Sequence, residues 1–313
     1  MMNTLHITTP LITQHLASGH EVLLKLDNLQ PSGSFKMRGI SLYCQRAVQQ
    51  GAQQLICPSG GNAGFAAAMA GVALGVPTTI VVPKTTPNSV VQQIRNLGAQ
   101  VEVQGAVWDE AHQYALALCA AHPAGQAVYV PPFDHADIWD GNATLIDEAC
   151  EQARAMGVDF DIVVCAVGGG GLLCGVLEGL HRNGRQATPV IAVETEGAAS
   201  LGAAVAAGEP VTLSAITSIA SSLGAKRIAQ KAFDWTREHD VRIVSVSDAQ
   251  AVAACLRFAD DLRMLVEPAC GAALAVAYEA QPILASFKRP LMVVCGGIGT
   301  DLAKLEQWRK QFL

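Results

Sequence analysis

Four consecutive glycines, Gly168, Gly169, Gly170 and Gly171, followed by Leu172, separate the apolar run Ile162–Val167 from a segment of helical periodicity. In such a loop successive backbone N–H groups can turn toward one anion, and the dipole of the following helix adds to the attraction. A plain turn does not need four glycines, whose ordering costs much entropy, so a bound phosphate is the natural reading. Counting G-x-G-x-x-G from Gly168 puts Leu173 at the third glycine, and counting from Gly169 puts Cys174 there. No G-K-[ST] follows, so neither a dinucleotide fingerprint nor a P-loop is present, and a compact monophosphate fits better than a pyrophosphate. A second segment with chemical potential is Pro31-Ser32-Gly33-Ser34-Phe35-Lys36-Met37-Arg38-Gly39. A lysine flanked by small residues and an aromatic can be desolvated and held in one place. Desolvation lowers the pKa of an amine, as a Schiff-base lysine requires. Taken alone, the same segment also reads as a surface lysine in a turn.

These residues need elements to position them. Short β-branched runs predict strands at Val22–Leu26, Leu55–Cys57, Thr78–Val82, Gln100–Val103, Ala127–Val130, Ile162–Val167, Val190–Val193, Arg242–Val246 and Leu291–Cys295. Helical patterns lie between and after them, at Ala63–Leu74, Ser89–Leu97, Asp109–Ala121, Leu172–His181, Ala229–Glu238, Asp248–Leu262, Cys270–Ala280 and Asp301–Phe312. Strands alternating with helices predict mainly parallel sheets covered on both faces. Three glycine-rich loops close strands: Ser59–Gly64, Gly168–Gly171 and Gly296–Gly299. Ligands in such folds sit beyond the carboxyl ends of strands, so the site is sought there.

The 313 residues suffice for two domains, and with 50% hydrophobic and 15% charged residues the composition is that of a core-rich globular chain. A net charge of −6 without a basic run argues against nucleic acid as a partner. No apolar stretch reaches membrane-spanning length, and Met1–Pro10 lacks the features of a signal peptide, so a cytoplasmic protein is expected. The nine cysteines, an odd number without a C-x-x-C pair, read as small reduced hydrophobes rather than as zinc ligands or disulfides. The eight histidines show no ligand spacing with one another.

Ser32 to Gly39, Ser59-Gly60-Gly61-Asn62-Ala63-Gly64 and Gly168 to Leu172 resemble, in order and separation, three signatures of the fold-type II (tryptophan-synthase-β-like) pyridoxal-phosphate enzymes. Within that family the chain resembles the serine dehydratase and serine dehydratase-like branch over nearly its whole length. Thr85-Thr86-Pro87, Pro131-Pro132-Phe133-Asp134, Val193-Glu194-Thr195, Val266 to Ala273 and Val294-Cys295-Gly296-Gly297 add to the match. The resemblance implies that Lys36 carries pyridoxal 5'-phosphate and moves the α-proton, and that Phe35 lies against the ring. It implies that Gly168, Gly169, Gly170, Gly171 and Leu172 hold the phosphate, and that Cys295 faces the pyridine nitrogen. Ser59, Gly60, Asn62 and Ala63 are implied to grip the substrate carboxylate, Asn62 also bonding the cofactor's 3-hydroxyl. Glu194, Ala198, Ser200, Leu223 and Ala225 match positions around a monovalent cation, potassium in related enzymes. Glu194 is otherwise the ribose-binding acid of a dinucleotide site, which the broken fingerprint disfavours.

An α/β fold is therefore expected, with two open domains and the cofactor in the cleft between them: residues 1–36 and 134–313 form the large domain, 37–133 the small one. The expected reaction is dehydration and deamination of L-serine, and of L-threonine, as an L-serine/L-threonine ammonia-lyase. The proton for the leaving hydroxyl comes either from the cofactor phosphate or from Lys36. A thiol at Cys295 bonds the pyridine nitrogen only weakly, which leaves the ring neutral and favours prompt loss of the β-hydroxyl. Serine racemase-like relatives carry at the Gly60 position a serine that acts as an acid. Gly60 has no side chain to do so, which favours elimination. Racemisation and cysteine synthase-type β-replacement are the rival reactions on the same fold. A nicotinamide-dependent oxidoreductase and a non-catalytic carrier of the cofactor are more distant rivals. The resemblance also implies a homodimer acting on a small amino acid. The chain length leaves no room for the regulatory domain of biosynthetic threonine dehydratases.

Overall fold

A computed structural model describes residues 4–16 and 21–313; Met1–Asn3, part of the segment read for a signal peptide, and His20 lie outside the described residues. In chain order the elements are β1 (Leu11–His15), β2 (Glu21–Lys25), α1 (Lys36–Gln49), β3 (Gln54–Cys57), α2 (Asn62–Leu74), β4 (Thr78–Val82) and α3 (Asn88–Asn96). There follow β5 (Gln100–Val103), α4 (Trp108–Ala120), β6 (Ala127–Tyr129), α5 (Ala136–Ala155), β7 (Ile162–Ala166), α6 (Gly171–Arg182), β8 (Val190–Thr195) and α7 (Ser200–Ala207). The chain ends with α8 (Gln230–Glu238), β9 (Val241–Val246), α9 (Asp248–Leu262), α10 (Pro268–Tyr278), β10 (Pro290–Val293) and α11 (Leu302–Phe312). No helix among the described residues is long and apolar enough to cross a membrane.

Two compact units form. One comprises Lys36–Gly141 with the described residues up to Ile7, the other Thr8–Phe35 and Asn142–Leu313. The first is built on a four-stranded parallel sheet of order β5-β4-β3-β6. The second holds a six-stranded sheet of order β1-β2-β10-β7-β8-β9, parallel except for the antiparallel pair β1–β2. The inner strands β4, β7 and β8 are buried at every residue, which is why their sequences run apolar without alternation. In each sheet the chain builds outward on one side of a strand and then crosses to its other side: from β3 through β4 and β5 to β6, and from β7 through β8 and β9 to β10. The loops after β3 and β7 thus lie at the switch points, where an open α/β sheet leaves a crevice. They are the Ser59–Gly64 and Gly168–Gly171 loops.

Four elements have no counterpart in the sequence pattern. β1 (Leu-Ile-Thr-Gln-His) is a half-exposed edge strand with little apolar content. α1 buries Arg38, Ser41 and Gln45 on its inner face, so its buried stripe is partly polar and gives no hydrophobic period. α5 is interrupted in composition by Gly141 and Asn142. A Cβ at Gly141 would meet the Arg38 carbonyl oxygen at 2.6 Å, so glycine is needed there for close backbone approach. α7 is short and made of small residues.

Candidate active site

On the four-stranded unit, Lys36 opens α1. Its Nζ donates to the Pro132 carbonyl oxygen and lies 5.9 Å from the centre of the Phe133 ring. The amine is half-buried and held on the Pro131-Pro132-Phe133 segment that follows β6. The Ser59–Gly64 loop leads from β3 into α2, which Gly61 caps. Ser59 Oγ accepts from Gly61 N at 3.3 Å, and Gly61 O accepts from Phe65 N at 3.1 Å. A Cβ at Gly64 would overlap the Ser59 carbonyl oxygen, so only glycine lets the loop lie directly on the helix. At Gly60 a Cβ would meet Val82 Cγ1 at 3.1 Å and Thr86 Cγ2 at 3.2 Å: tight, but against side chains. Asn62 and Ala63, in the first turn of α2, are buried. Burial also pushes the Cys57 thiol, just before the loop, up to about 12, although Lys36 and the Ser59 amide pull the other way.

On the six-stranded unit, the Gly168–Leu172 loop joins β7 to α6. None of the five amides from Gly168 to Leu172 donates to another described group, so five donors converge at a helix N-terminus. Gly170 has φ +95°, and a Cβ there would overlap that of Ala232. A Cβ at Gly168 would lie 2.9 Å from Leu223 Cα. Side chains are thereby excluded at Gly168 and Gly170, which leaves the loop's backbone amides uncovered by side chains of their own. The loop is mounted on α5. Asn142 Nδ2 donates to Gly171 O at 2.9 Å, and Cβ atoms at Gly175 and Gly179 would overlap or crowd Asn142 and Ile146. The four-residue spacing of Gly171, Gly175 and Gly179 is the mark this close helix packing leaves in the sequence.

Beside β7 in the same sheet, Cys295 follows β10 and is buried. Contact with the Cys270 thiol, then burial, holds the Cys295 thiol well above its ordinary range. Phe35 N donates to Cys295 O at 3.0 Å, Gly297 N to Gly33 O at 2.9 Å, and Ser34 bridges Gly296. The Ser32–Phe35 segment is thus sewn onto the strand end that carries Cys295, and Lys36 is the next residue in the chain. Glu194, at the end of β8, is fully buried. Its two carboxylate oxygens accept from Leu201 N at 2.7 Å and Gly202 N at 2.8 Å, in the first turn of α7. Burial raises its pKa to about 7 against the pull of those amides. Ser200 Oγ donates to Gly168 O at 3.3 Å, and Leu223 packs on Gly168. Ala198 and Ala225 lie in the adjoining turns: Ala198 N donates to Thr195 O and Ala225 N to Leu223 O, both at 2.9 Å. No group of three or more His, Cys, Asp and Glu side chains suited to a metal ion occurs among the described residues, so a cation here would rest chiefly on carbonyl and hydroxyl oxygens.

Each unit thus carries a switch-point loop at a helix N-terminus, the Gly168–Leu172 loop with its amides unengaged by other described groups, which is the chemistry of an anion site in an α/β protein. Residues 2–296 match the family model described as "Pyridoxal-phosphate dependent enzyme", and the chain belongs to that family, in its tryptophan-synthase-β-like, fold-type II form. The chain is 44% identical to a Homo sapiens protein named L-serine dehydratase/L-threonine deaminase, over 98% of this chain and 95% of that one. It is 45% identical to the Homo sapiens serine dehydratase-like protein, over 96% of this chain and 93% of that one. The crystal structure of a fungal L-serine ammonia-lyase from Rhizomucor miehei matches with a TM-score of 0.91 at 38% identity, covering 99% of this chain and 100% of that one. The residues present fit pyridoxal phosphate in their chemistry: the five amides of the Gly168–Leu172 loop would suit a phosphate, and the Lys36 amine is of the type that would carry the cofactor.

Proposed function

We propose that this protein is an L-serine ammonia-lyase that also takes L-threonine, releasing ammonia with pyruvate or 2-oxobutyrate. The observation that carries this is similarity over nearly the whole chain to proteins named for that reaction. Gly168 to Leu172 would hold the cofactor phosphate, Phe35 would lie against the ring, Cys295 would face its nitrogen, and Asn62 would bond its 3-hydroxyl. Bound there, pyridoxal phosphate supplies the electron sink that makes the α-proton of an amino acid acidic. Lys36 holds the cofactor through Nζ and moves that α-proton. Ser59, Gly60, Asn62 and Ala63 bind the substrate carboxylate at the N-terminus of α2, where the helix dipole favours an anion. Cys295, with its thiol pKa raised, stays protonated and offers the ring nitrogen only a weak S–H bond.

Elimination is favoured over racemisation because Gly60 offers no hydroxyl, and even a Cβ there would sit tightly, 3.1 Å from Val82 Cγ1 and 3.2 Å from Thr86 Cγ2. A monovalent cation, potassium, is proposed beside Glu194, Ala198, Ser200, Leu223 and Ala225. In support, a buried carboxylate with only amide partners gains from a nearby cation, and Ser200 and Leu223 both touch Gly168 of the phosphate cradle. A cytoplasmic homodimer completes the proposal. The test is keto acid release from L-serine and L-threonine by the purified protein in potassium, with Lys36→Ala as control. Keto acid from the parent and none from the variant is the expected result; no keto acid from the parent on either substrate would refute the proposal.

A further inference from the structure

Trp108 is the first residue of α4 and is 43% exposed, so core packing does not explain its size. Its indole Nε1 donates to the Pro58 carbonyl oxygen at 2.6 Å, across fifty positions of sequence. The ring stacks on His112, one helical turn on, with centroids 5.0 Å apart and planes within 7°. His112 Nδ1 in turn hydrogen-bonds the Tyr129 hydroxyl at 2.9 Å, in the strand paired with β3. The turn before Trp108 is fixed as well: Ala106 N donates to Glu110 Oε2 at 2.6 Å, and Gly105 O accepts from Lys84 N at 2.9 Å. The start of α4 therefore grips both the residue before Ser59 and the loop that carries Thr86 against Gly60.

We propose, resting on the assignment of Ser59–Ala63 to the substrate carboxylate, that Trp108 is a positioning residue for that loop. The Pro58–Ser59 peptide is a rigid plane whose C=O and N–H point in opposite directions. Fixing the Pro58 oxygen with an indole N–H fixes the direction of the Ser59 amide and the position of the Ser59 side chain. Ser59 Oγ in turn accepts from Gly61 N, the cap of α2. Trp108 thus orients the carboxylate-binding amides without touching the substrate.

Trp108→Phe keeps the stacking surface on His112 and removes the donor. In the loaded enzyme, KM for L-serine is expected to rise about five- to tenfold, with kcat within about twofold of the parent's, because a ground-state binding contact is weakened. Amide exchange by mass spectrometry, on cofactor-free and loaded protein, should quicken over residues 58–64 and stay unchanged in β3. Replacing the indole by benzothiophene, which keeps the shape and lacks the N–H, should give the same pattern should the phenylalanine variant prove unstable. An unchanged KM, a loss carried by kcat alone, or faster exchange confined to residues 105–112 would overturn the proposal. A parent that releases no keto acid from L-serine would refute the lyase assignment instead, and the exchange measurement would still decide whether Trp108 holds the loop.

Discussion

At the scale of single residues, the glycines separate into those that spare space and those that cannot be replaced. Gly64 lies with the Ser59 carbonyl where a Cβ would stand, whereas Gly60 faces only the side chains of Val82 and Thr86. Gly64→Ala is expected to cost more than about 3 kcal/mol and to abolish activity, because backbone must move. Gly60→Ala should cost about 1 kcal/mol or less and leave the protein folded, as thermal denaturation of the two variants would show. Gly170→Ala combines a positive φ with an overlap on Ala232, so weakened cofactor retention is expected, read from cofactor absorbance after gel filtration. The glycine runs are legible in sequence. Which glycine sits against backbone is not, because the partner atom comes from a different part of the chain.

At the scale of elements, the strands and most helices follow from hydrophobic patterning, since β-branched apolar runs have few other places to go. α1 does not, because Arg38, Ser41 and Gln45 occupy its inner face, and α5 does not, because Gly141 and Asn142 interrupt its apolar pattern. A related case is Lys25 in β2, fully buried beneath α5. Its Nζ donates to Thr9 O at 2.7 Å, to Glu148 Oε2 at 2.6 Å and to Gln152 Oε1 at 2.8 Å. Thr9 Oγ1 also donates to Asp27 Oδ1 at 2.7 Å, tying the chain before β1 into the same network. Glu148→Ala removes the acid from a buried ammonium and is expected to destabilise by about 3–5 kcal/mol, measured by urea denaturation. The double variant Lys25→Met/Glu148→Leu should recover most of that loss, since no unpaired charge then remains.

At the scale of the whole molecule, pH acts on stability through a histidine pair that joins distant segments. His239 Nε2 donates to Thr188 O at 2.8 Å, so in the neutral ring Nδ1 is an acceptor. It accepts a hydrogen bond from His181 Nε2 at 3.2 Å. Burial first, then His239, lowers the pKa of His181, and Lys231 adds to this while Glu238 opposes it; the Trp235 ring packs edge-on at 4.8 Å. With a folded-state pKa below the unfolded value of about 6.5, the unfolded chain binds the proton more readily. The contribution is therefore fully present above about pH 6.5 and is lost as pH falls through the lower folded-state value. The thermal midpoint should drop between about pH 7.5 and about pH 5.5, and His181→Asn should flatten that drop relative to the parent.

Sequence by itself determined the family and the alternating α/β plan, and it singled out the Gly168–Gly171 loop and Lys36 as candidates. Each of these depends on local residue type and on spacing along the chain. Only the tertiary structure decided that Trp108 reaches Pro58, that Asn142 anchors the start of α6, that Glu194 caps α7, and that His181 and His239 meet despite lacking any ligand spacing. Those contacts join residues from seven to 58 positions apart. A hydrogen bond depends on where two atoms lie once the sheets and helices have packed, and no linear period encodes that.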